Sequence, residues 1–214
     1  MSTSRTSCSR SARTLPTEKP SDARPTLARV FVITGPSGVG KGTLIAALMK
    51  RVPSLELSVS ATTRKPRRGE CDGVDYHFLD DETFEALVQA GDFIEHADYS
   101  GRRYGTLRSE LEGRIAAGVP VVLEIEVQGA RQVRESMPEA VQVFIAPPSM
   151  QALASRLSGR GTDPPEEVAR RLTVAERELE AKDEFAHVIV NDDLSAAEGE
   201  LLALVREQLS HVAA

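Results

Sequence analysis

A glycine-rich segment between a short apolar run and a helical pattern restricts the fold of this chain more than any other feature. The apolar run is Val30-Phe-Val-Ile33, and the glycine-rich segment is Gly35-Pro-Ser-Gly-Val-Gly-Lys-Gly-Thr43. Apolar residues then recur with helical spacing from Leu44 to Val52. Glycines allow the backbone of such a loop to curl, so that several N–H groups point at an anion beside the positive end of the helix. The order of strand, loop and helix therefore predicts a phosphate-binding loop.

Two side chains of this loop have predicted tasks of their own. Lys41 brings a mobile positive charge to a phosphate that is being transferred. The strict pattern places Ser or Thr directly after the lysine, whereas this chain has Gly42 there and a hydroxyl one residue later. We therefore predict that Thr43 supplies the hydroxyl on the Mg²⁺ side. The residues predicted to hold the phosphates are Gly35, Pro36, Ser37, Gly38, Val39, Gly40, Lys41, Gly42 and Thr43.

The rest of the chain alternates between two kinds of pattern. Strand-like apolar runs lie at 121–123, 141–145 and 188–190, and helical segments lie near 128–136, 149–158, 164–182 and 195–210. Two helix starts carry capping signals, namely Asp163 before two prolines and Ser195 with Glu198 as a capping box. Strands that alternate with helices predict an α/β fold with a parallel central sheet flanked by helices.

Residues 58–106 interrupt this alternation. They are polar and rich in Gly and Arg, and a short helix is predicted within them at about 81–90. We expect a small inserted subdomain with antiparallel strands. The core of the domain then consists of 29–57, 107–150 and 164–214.

The first 28 residues differ in composition from the rest. Residues 1–28 are rich in Ser, Thr, Arg and Pro and hold few large aliphatic side chains, so we predict a disordered tail. Their Arg and Ser content is compatible with an organelle transit peptide, although the apolar stripe typical of one is missing. The segment has no apolar core of a secretory signal. Cys8 and Cys71 lie in unrelated polar contexts, which favours a reducing, cytoplasmic location over a disulfide-forming one.

The net charge of −6 is unevenly distributed. Residues 1–28 hold five basic and two acidic residues, so the remaining chain carries −9. A nucleic-acid binder is more often basic over its folded part, so we expect no nucleic-acid partner. No apolar run approaches the roughly 18 residues of a membrane span, so we expect no membrane partner. Arginines in tight local groups suit a small anionic ligand, although solvated surface charge explains any single group equally well.

Further segments, in one family's order and spacing, resemble the guanylate kinases. The likeness spans about 30 to 210, and it is specific because so many segments match in order. Besides the phosphate loop, they are 58–70 (SVSATTRKPRRGE), 73–78, 93–95, 104–106, 128–129, 145–149, 160–162 and 190–192. The resemblance implies a P-loop kinase fold in which 58–106 binds GMP and 151–163 forms a short mobile lid. It also implies an ATP-dependent kinase that phosphorylates GMP or dGMP with Mg²⁺.

The resemblance assigns the acceptor site residue by residue. Two arginines and two tyrosines match the groups that hold the GMP phosphate, and planar guanidinium groups suit a phosphate dianion. One carboxylate matches the acceptor of the guanine N1–H and 2-amino donors, and two hydroxyls match the donors to guanine O6. Taken alone, the arginines would fit a solvated basic loop and the carboxylate an exposed acid. The phosphate-holding groups match Arg64, Arg67, Tyr76 and Tyr104. The carboxylate matches Glu95, and the two hydroxyls match Ser60 and Thr106.

On the donor side the resemblance assigns arginines of the lid and of the next helix. Arg156, Arg160 and Arg171 match side chains that close over the ATP phosphates and, with Lys41, stabilise charge on the transferred group. Ordinary helix-surface arginines are the alternative interpretation. Asn191 and Asp192 match the turn on the adenine side of ATP.

One departure from the family pattern concerns two acids. The family commonly has two alternating aspartates where this chain has Glu124 and Glu126. Alternate strand residues point to the same face, so both can reach the site. Which of them contacts Mg²⁺ through water and which steadies GMP is open; we assign Glu124 to the metal and Glu126 to GMP.

Two other functions compete with this interpretation. A guanylate-kinase-like interaction module usually has a degraded phosphate loop, whereas Lys41 is present here. A related kinase with another phosphorylated acceptor would not need Glu95 together with Ser60 and Thr106. The sequence leaves the choice between a monomer and a homodimer open.

Overall fold

The structure is a computed structural model, and it describes residues 29–99, 101–159 and 164–210. Its strands are β1 (Val30–Thr34), β2 (Glu56–Leu57), β3 (Ala61–Thr62), β4 (His77–Phe78), β5 (Phe93–Tyr99), β6 (Arg102–Leu107), β7 (Val121–Glu124), β8 (Val141–Ala146) and β9 (His187–Val190). Its α-helices are α1 (Lys41–Arg51), α2 (Asp81–Ala90), α3 (Arg108–Ala116), α4 (Val127–Ser136), α5 (Met150–Ser158), α6 (Pro165–Glu180) and α7 (Leu194–Ser210).

The central sheet is parallel throughout, with the strand order β2-β7-β1-β8-β9. Its middle strand, β1, is buried along its whole length. Phe31 and Ile33 pack on one face against α1, α5 and α7, while Val30 and Val32 pack on the other against α3 and α4. This alternation explains why the strand reads as an unbroken apolar run: a parallel strand covered by helices on both faces has no polar side. The predicted α/β fold is confirmed.

A second, mixed sheet of four strands is built from the segment predicted as an insertion, with the order β4-β3-β6-β5. Its small core joins Ala61 to the stacked rings of Phe84 and Phe93, whose centroids are 4.5 Å apart. β6 pairs antiparallel with both neighbours, but β3 and β4 pair in parallel. The expectation of antiparallel strands was therefore wrong for that one pair, because the 14 residues between them form a loop that returns to the same end.

Helix boundaries show which local signals were misleading. α7 begins one residue before Ser195, and Asp193 caps it by accepting the Ala196 N–H at 2.8 Å, so the capping box was wrong. α6 begins at Pro165, with Pro164 in the cap position, and Asp163 lies outside the described residues. Sequence periodicity missed α3, in which Leu111 is the one buried residue.

The carboxyl edge of the parallel sheet collects the predicted site residues, as expected for an open α/β sheet. The phosphate loop follows β1, Glu124 ends β7 and Asn191 follows β9. In the described part of the chain, no helix is both long and apolar enough to cross a membrane.

Candidate active site

The phosphate loop has the curled backbone that its glycines allow. Gly35, Gly38 and Gly40 have φ angles of 132°, 88° and 104°, values that strain residues with a Cβ. A Cβ on Gly35 would also lie 2.2 Å from the Ile145 carbonyl oxygen of the neighbouring strand β8. Gly40 caps α1, so the loop runs directly into the positive end of a helix.

Lys41 folds back over its own loop. Its Nζ donates to the carbonyl oxygens of Gly35 at 2.6 Å and Pro36 at 3.2 Å. Burial lowers the pKa of the ammonium, and the Glu124 and Glu178 carboxylates act against that shift. Lys41 is thus a cation with little water around it, which strengthens its attraction to any anion in the cavity.

Arg156 and Asn191 brace the loop from outside. Arg156 donates to the Asn191 carbonyl at 2.9 Å and to the carbonyls of Val39 and Asp192 at 3.5 Å. The buried Asn191 side chain donates to the Val39 carbonyl at 2.8 Å. Two predicted donor-side residues therefore reach the phosphate loop.

Arg171 also reaches the loop, from α6. Its guanidinium donates to the Ser37 hydroxyl at 2.5 Å. Arg160 lies outside the described residues, and so does most of the non-helical part of the predicted lid. Residues 151–158 of that segment belong to α5.

A cavity of about 300 Å³ joins the loop to the second sheet. All three predicted glutamates line it, as do Ser60 and the two tyrosines of the predicted phosphate site. It therefore brings donor-side and acceptor-side groups together. Its lining includes Lys41, Ser60, Tyr76, Glu95, Tyr104, Glu124 and Glu126.

Glu95 is the most deeply buried acid of the cavity, 3% exposed. The Thr106 hydroxyl donates to its Oε1 at 2.7 Å. Burial raises the pKa of Glu95 to about 7, although the Thr106 hydrogen bond opposes the change and Glu126 adds to it. The single O–H of Thr106 is used on Glu95, and Thr106 does not line the cavity. Its contact with a base stays a prediction.

The two glutamates do not share a strand. β7 ends at Glu124, and Glu126 is the N-cap of α4, where its carboxylate accepts the Gln128 N–H at 2.7 Å and the Gly129 N–H at 2.8 Å. The expectation that both belong to one strand was wrong, because a carboxylate near a helix start satisfies amides that lack partners within the helix. Both side chains still face the same cavity.

Arg64 is held by an acid of its own loop. It forms a bidentate pair with Glu70 at 2.8 and 2.9 Å, which raises the pKa of Arg64 and lowers the pKa of Glu70. Its guanidinium carbon lies 5.1 Å from the centre of the Tyr76 ring. Arg67 is exposed, and its backbone N–H donates to Glu70 at 2.6 Å. Neither arginine lines the cavity in this arrangement.

Only one of the two predicted metal residues lines the cavity. Glu124 lines the cavity, and its carboxylate oxygens lie 3.8 and 3.9 Å from the position of a Cβ on Gly42. Thr43 is exposed on α1 and does not line the cavity. Within the described residues, no group of three or more His, Cys, Asp or Glu side chains could hold a metal ion.

Sequence reasoning missed Glu178 and Tyr99, which also line the cavity. Glu178 follows Arg171 by seven residues, or two helical turns, so it lies on the same face of α6. That spacing was the available signal. Tyr99 lies four residues after Glu95 on β5, an even spacing that places both on one face of the strand.

Comparison with known proteins identifies the family. The guanylate kinase family model matches residues 27–208. A guanylate kinase from Synechococcus sp. (strain CC9311) is 57% identical over 175 residues, covering 82% of this chain and 92% of the relative. A guanylate kinase from Streptomyces coelicolor is 54% identical over 185 residues, covering 86% and 92%. The crystal structure of guanylate kinase from Anaplasma phagocytophilum superposes with a TM-score of 0.68 at 33% identity, covering 86% of this chain and 87% of that one. The chain belongs to the guanylate kinase family.

Proposed function

We propose that this chain transfers the γ-phosphoryl group of ATP to GMP or dGMP, giving ADP and GDP or dGDP. ATP-dependent phosphorylation of GMP is the activity of the family to which the chain belongs. The observation that carries the proposal is one cavity in which Lys41 of the phosphate loop and the buried carboxylate of Glu95 both take part. The same cavity thus contains a group for the phosphates of ATP, the phosphoryl donor, and a group for the base of GMP, the phosphoryl acceptor.

Glu95 is the group proposed to select guanine. Guanine offers N1–H and 2-amino donors to a carboxylate, whereas adenine offers an acceptor at N1 and lacks the 2-amino group. Burial disfavours the ionised form of Glu95, so two donors from guanine would relieve a desolvated charge. Hydrogen bonds to charged groups contribute about 1.5–3 kcal/mol each, and sites built on them reject analogues strongly. Glu126 is proposed to steady GMP beside Glu95, and Ser60 to donate to guanine O6. Thr106, whose hydroxyl donates to Glu95, is proposed to orient that carboxylate.

The GMP phosphate is proposed to replace Glu70 as the partner of Arg64. A carboxylate and a phosphate both accept two parallel hydrogen bonds from a guanidinium, so the exchange preserves the bonding pattern. Tyr76 and Tyr104, whose ring centres are 6.1 Å apart, would add hydroxyl donors. Arg67 is exposed and does not line the cavity. It would contact the phosphate when GMP binds.

Transfer is proposed to occur in line and without a covalent enzyme intermediate. An oxygen of the GMP phosphate attacks the γ-phosphorus of ATP, and the bond from that phosphorus to the bridging oxygen of ADP breaks. Lys41, Arg156, Arg160 and Arg171 would neutralise the charge that develops on the transferred group. Asn191 and Asp192 are proposed to hold the adenine side of ATP.

Mg²⁺ fits the donor set near the loop. Carboxylate and hydroxyl oxygens are ligands that Mg²⁺ accepts, usually with several waters and the nucleotide phosphates. Glu124 would hold the ion through water, and Thr43 would provide the hydroxyl on the loop side. The ion bound with ATP would supply charge neutralisation at the phosphates.

The setting of the enzyme is also a proposal. We place it in the cytoplasm, as a monomer or a homodimer, with no nucleic-acid or membrane partner. The polar contexts of the two cysteines and the acidic balance after residue 28 support this.

A coupled assay of ADP release tests the function. The acceptors are GMP, dGMP, AMP and UMP, and a reaction without acceptor is the control. We expect turnover with GMP and dGMP and little above the control with AMP or UMP. Equal rates with AMP would exclude guanine selection, and ADP release that needs no acceptor would indicate an ATPase.

A further inference from the structure

Helix α6 presents one polar face to the phosphate loop. Arg171, Ala175 and Glu178 follow at helical spacing, and Ala175 is fully buried between the two charged residues. Arg171 donates to the Ser37 hydroxyl at 2.5 Å. Because Glu178 shares this face, it approaches the same loop and lines the same cavity as Ser37 and Lys41.

Glu178 is unusual because it is an acidic residue whose side chain is buried, with only 8% of the residue exposed. Its Oε2 is buried without a hydrogen-bond partner among the described residues. Burial raises the pKa of Glu178 to about 7, while the Lys41 ammonium and the Ser37 backbone N–H favour its ionised form. An apolar side chain would fill this position at lower energetic cost. The carboxylate is therefore unexplained by packing.

The other acids near Lys41 are already engaged. Glu126 uses its carboxylate to cap α4. Glu124 is exposed at the edge of the sheet, on the side of Gly42, where it is proposed to serve the metal ion. Glu178 alone among these three is both buried and left with an unpartnered oxygen.

We propose that Glu178 is a positioning residue for phosphoryl transfer, which holds the Lys41 ammonium toward the cavity and steadies the Ser37 end of the phosphate loop. The carbonyls of Gly35 and Pro36 hold the Lys41 Nζ over the loop. The Glu178 carboxylate lines the same cavity as Lys41 and favours its charged form. A flexible ammonium placed by a buried counter-charge needs less rearrangement in the transition state. This inference rests on the proposed function.

Glu178→Gln tests it with the smallest change of shape. We expect kcat to fall roughly 10- to 100-fold, the size of effect that a misplaced catalytic group produces, while KM for GMP stays within about threefold. AMPPNP, measured by calorimetry, is expected to bind at least as tightly as to wild type, because a negative charge near the phosphates is removed. The Tm is expected to stay level or rise, since a buried charge is gone. Glu178→Asp, which keeps the charge, should recover part of kcat.

Glu176→Gln is the matched control, since Glu176 is an exposed residue of the same helix, and it should behave like wild type. An unchanged kcat in Glu178→Gln would overturn the inference. So would a fall in kcat accompanied by a lower Tm and weaker AMPPNP binding, which would indicate a packing role. A wild-type chain without GMP-dependent ADP release would refute the proposed function and this inference together, whereas an active wild type with a normal Glu178→Gln refutes the inference alone.

Discussion

Gly129→Ala is predicted to disable guanine selection by adding one methyl group. A Cβ at this position would lie 2.3 Å from Oε2 and 3.0 Å from Cδ of Glu95, and 3.1 Å from Oε1 of Glu126. Ordinary contact begins at 3.4 Å, so the Glu95 carboxylate would have to move by about 1 Å. Its Oε1 is fixed by Thr106 at 2.7 Å in a buried site, which leaves little room for the movement.

The expected magnitude follows from this displacement. Moving a binding group by about 1 Å commonly reduces turnover by roughly 10²-fold, and weakening a charged hydrogen bond contributes about 1.5–3 kcal/mol. Both considerations give a loss of about 100-fold in kcat/KM for GMP, equivalent to about 2.7 kcal/mol. The KM for ATP should change little, because Gly129 lies on the acceptor side, in the first turn of α4.

Steady-state kinetics with each substrate varied in turn measures this effect. Gly113→Ala in α3 is the control, because a Cβ there meets nothing within 4 Å. Ala is favoured over Gly inside a helix by up to about 1 kcal/mol, so the control should be active and slightly more stable. A folded Gly129→Ala variant with wild-type kcat/KM for GMP would contradict this reasoning. It would show that guanine binding does not depend on the observed position of the Glu95 carboxylate.

Three further predictions concern groups of the same cavity. Lys41→Ala should abolish transfer while calorimetry still detects GMP binding, and near-normal turnover would contradict the assignment of Lys41 to the ATP phosphates. The wild type is expected to prefer GMP over AMP by at least about a thousandfold in kcat/KM. Glu95→Gln should remove most of this preference, mainly by lowering kcat/KM for GMP. An unchanged ratio would contradict the assignment of Glu95 to guanine. The free energy of unfolding should fall as pH rises from about 4.5 to 7, because Glu95 and Glu178 have folded pKa values of about 7, above the usual 4.5. The unfolded chain loses those protons first, and the loss of stability has an upper limit of about 3.4 kcal/mol per group. Urea unfolding across this range should show a shallower fall for Glu178→Gln than for wild type, and parallel curves would contradict the assigned pKa.

The sequence by itself determined the parts of this protein that depend on local pattern. The apolar run from Val30 and the glycine-rich loop to Thr43 predict a buried parallel strand followed by a phosphate site, because strand, loop and helix are adjacent in the chain. The ordered motifs predict the guanylate kinase family, and the family model confirms it. Helix α3 was left unpredicted because Leu111 and Ile115 are its only large apolar residues, and a single pair four residues apart is too short to show a period.

Only the tertiary structure decided which side chains share the cavity and in what state. The pairing of Arg64 with Glu70, the use of the Thr106 hydroxyl on Glu95, and the cap that Glu126 makes on α4 each depend on atoms meeting across a fold. Glu178 lies 137 positions after Lys41 in the chain, yet both line one cavity. The spacing from Arg171 indicates the helix face of Glu178 but not its burial, because desolvation and the charges around the carboxylate arise only when α6 packs on the loop.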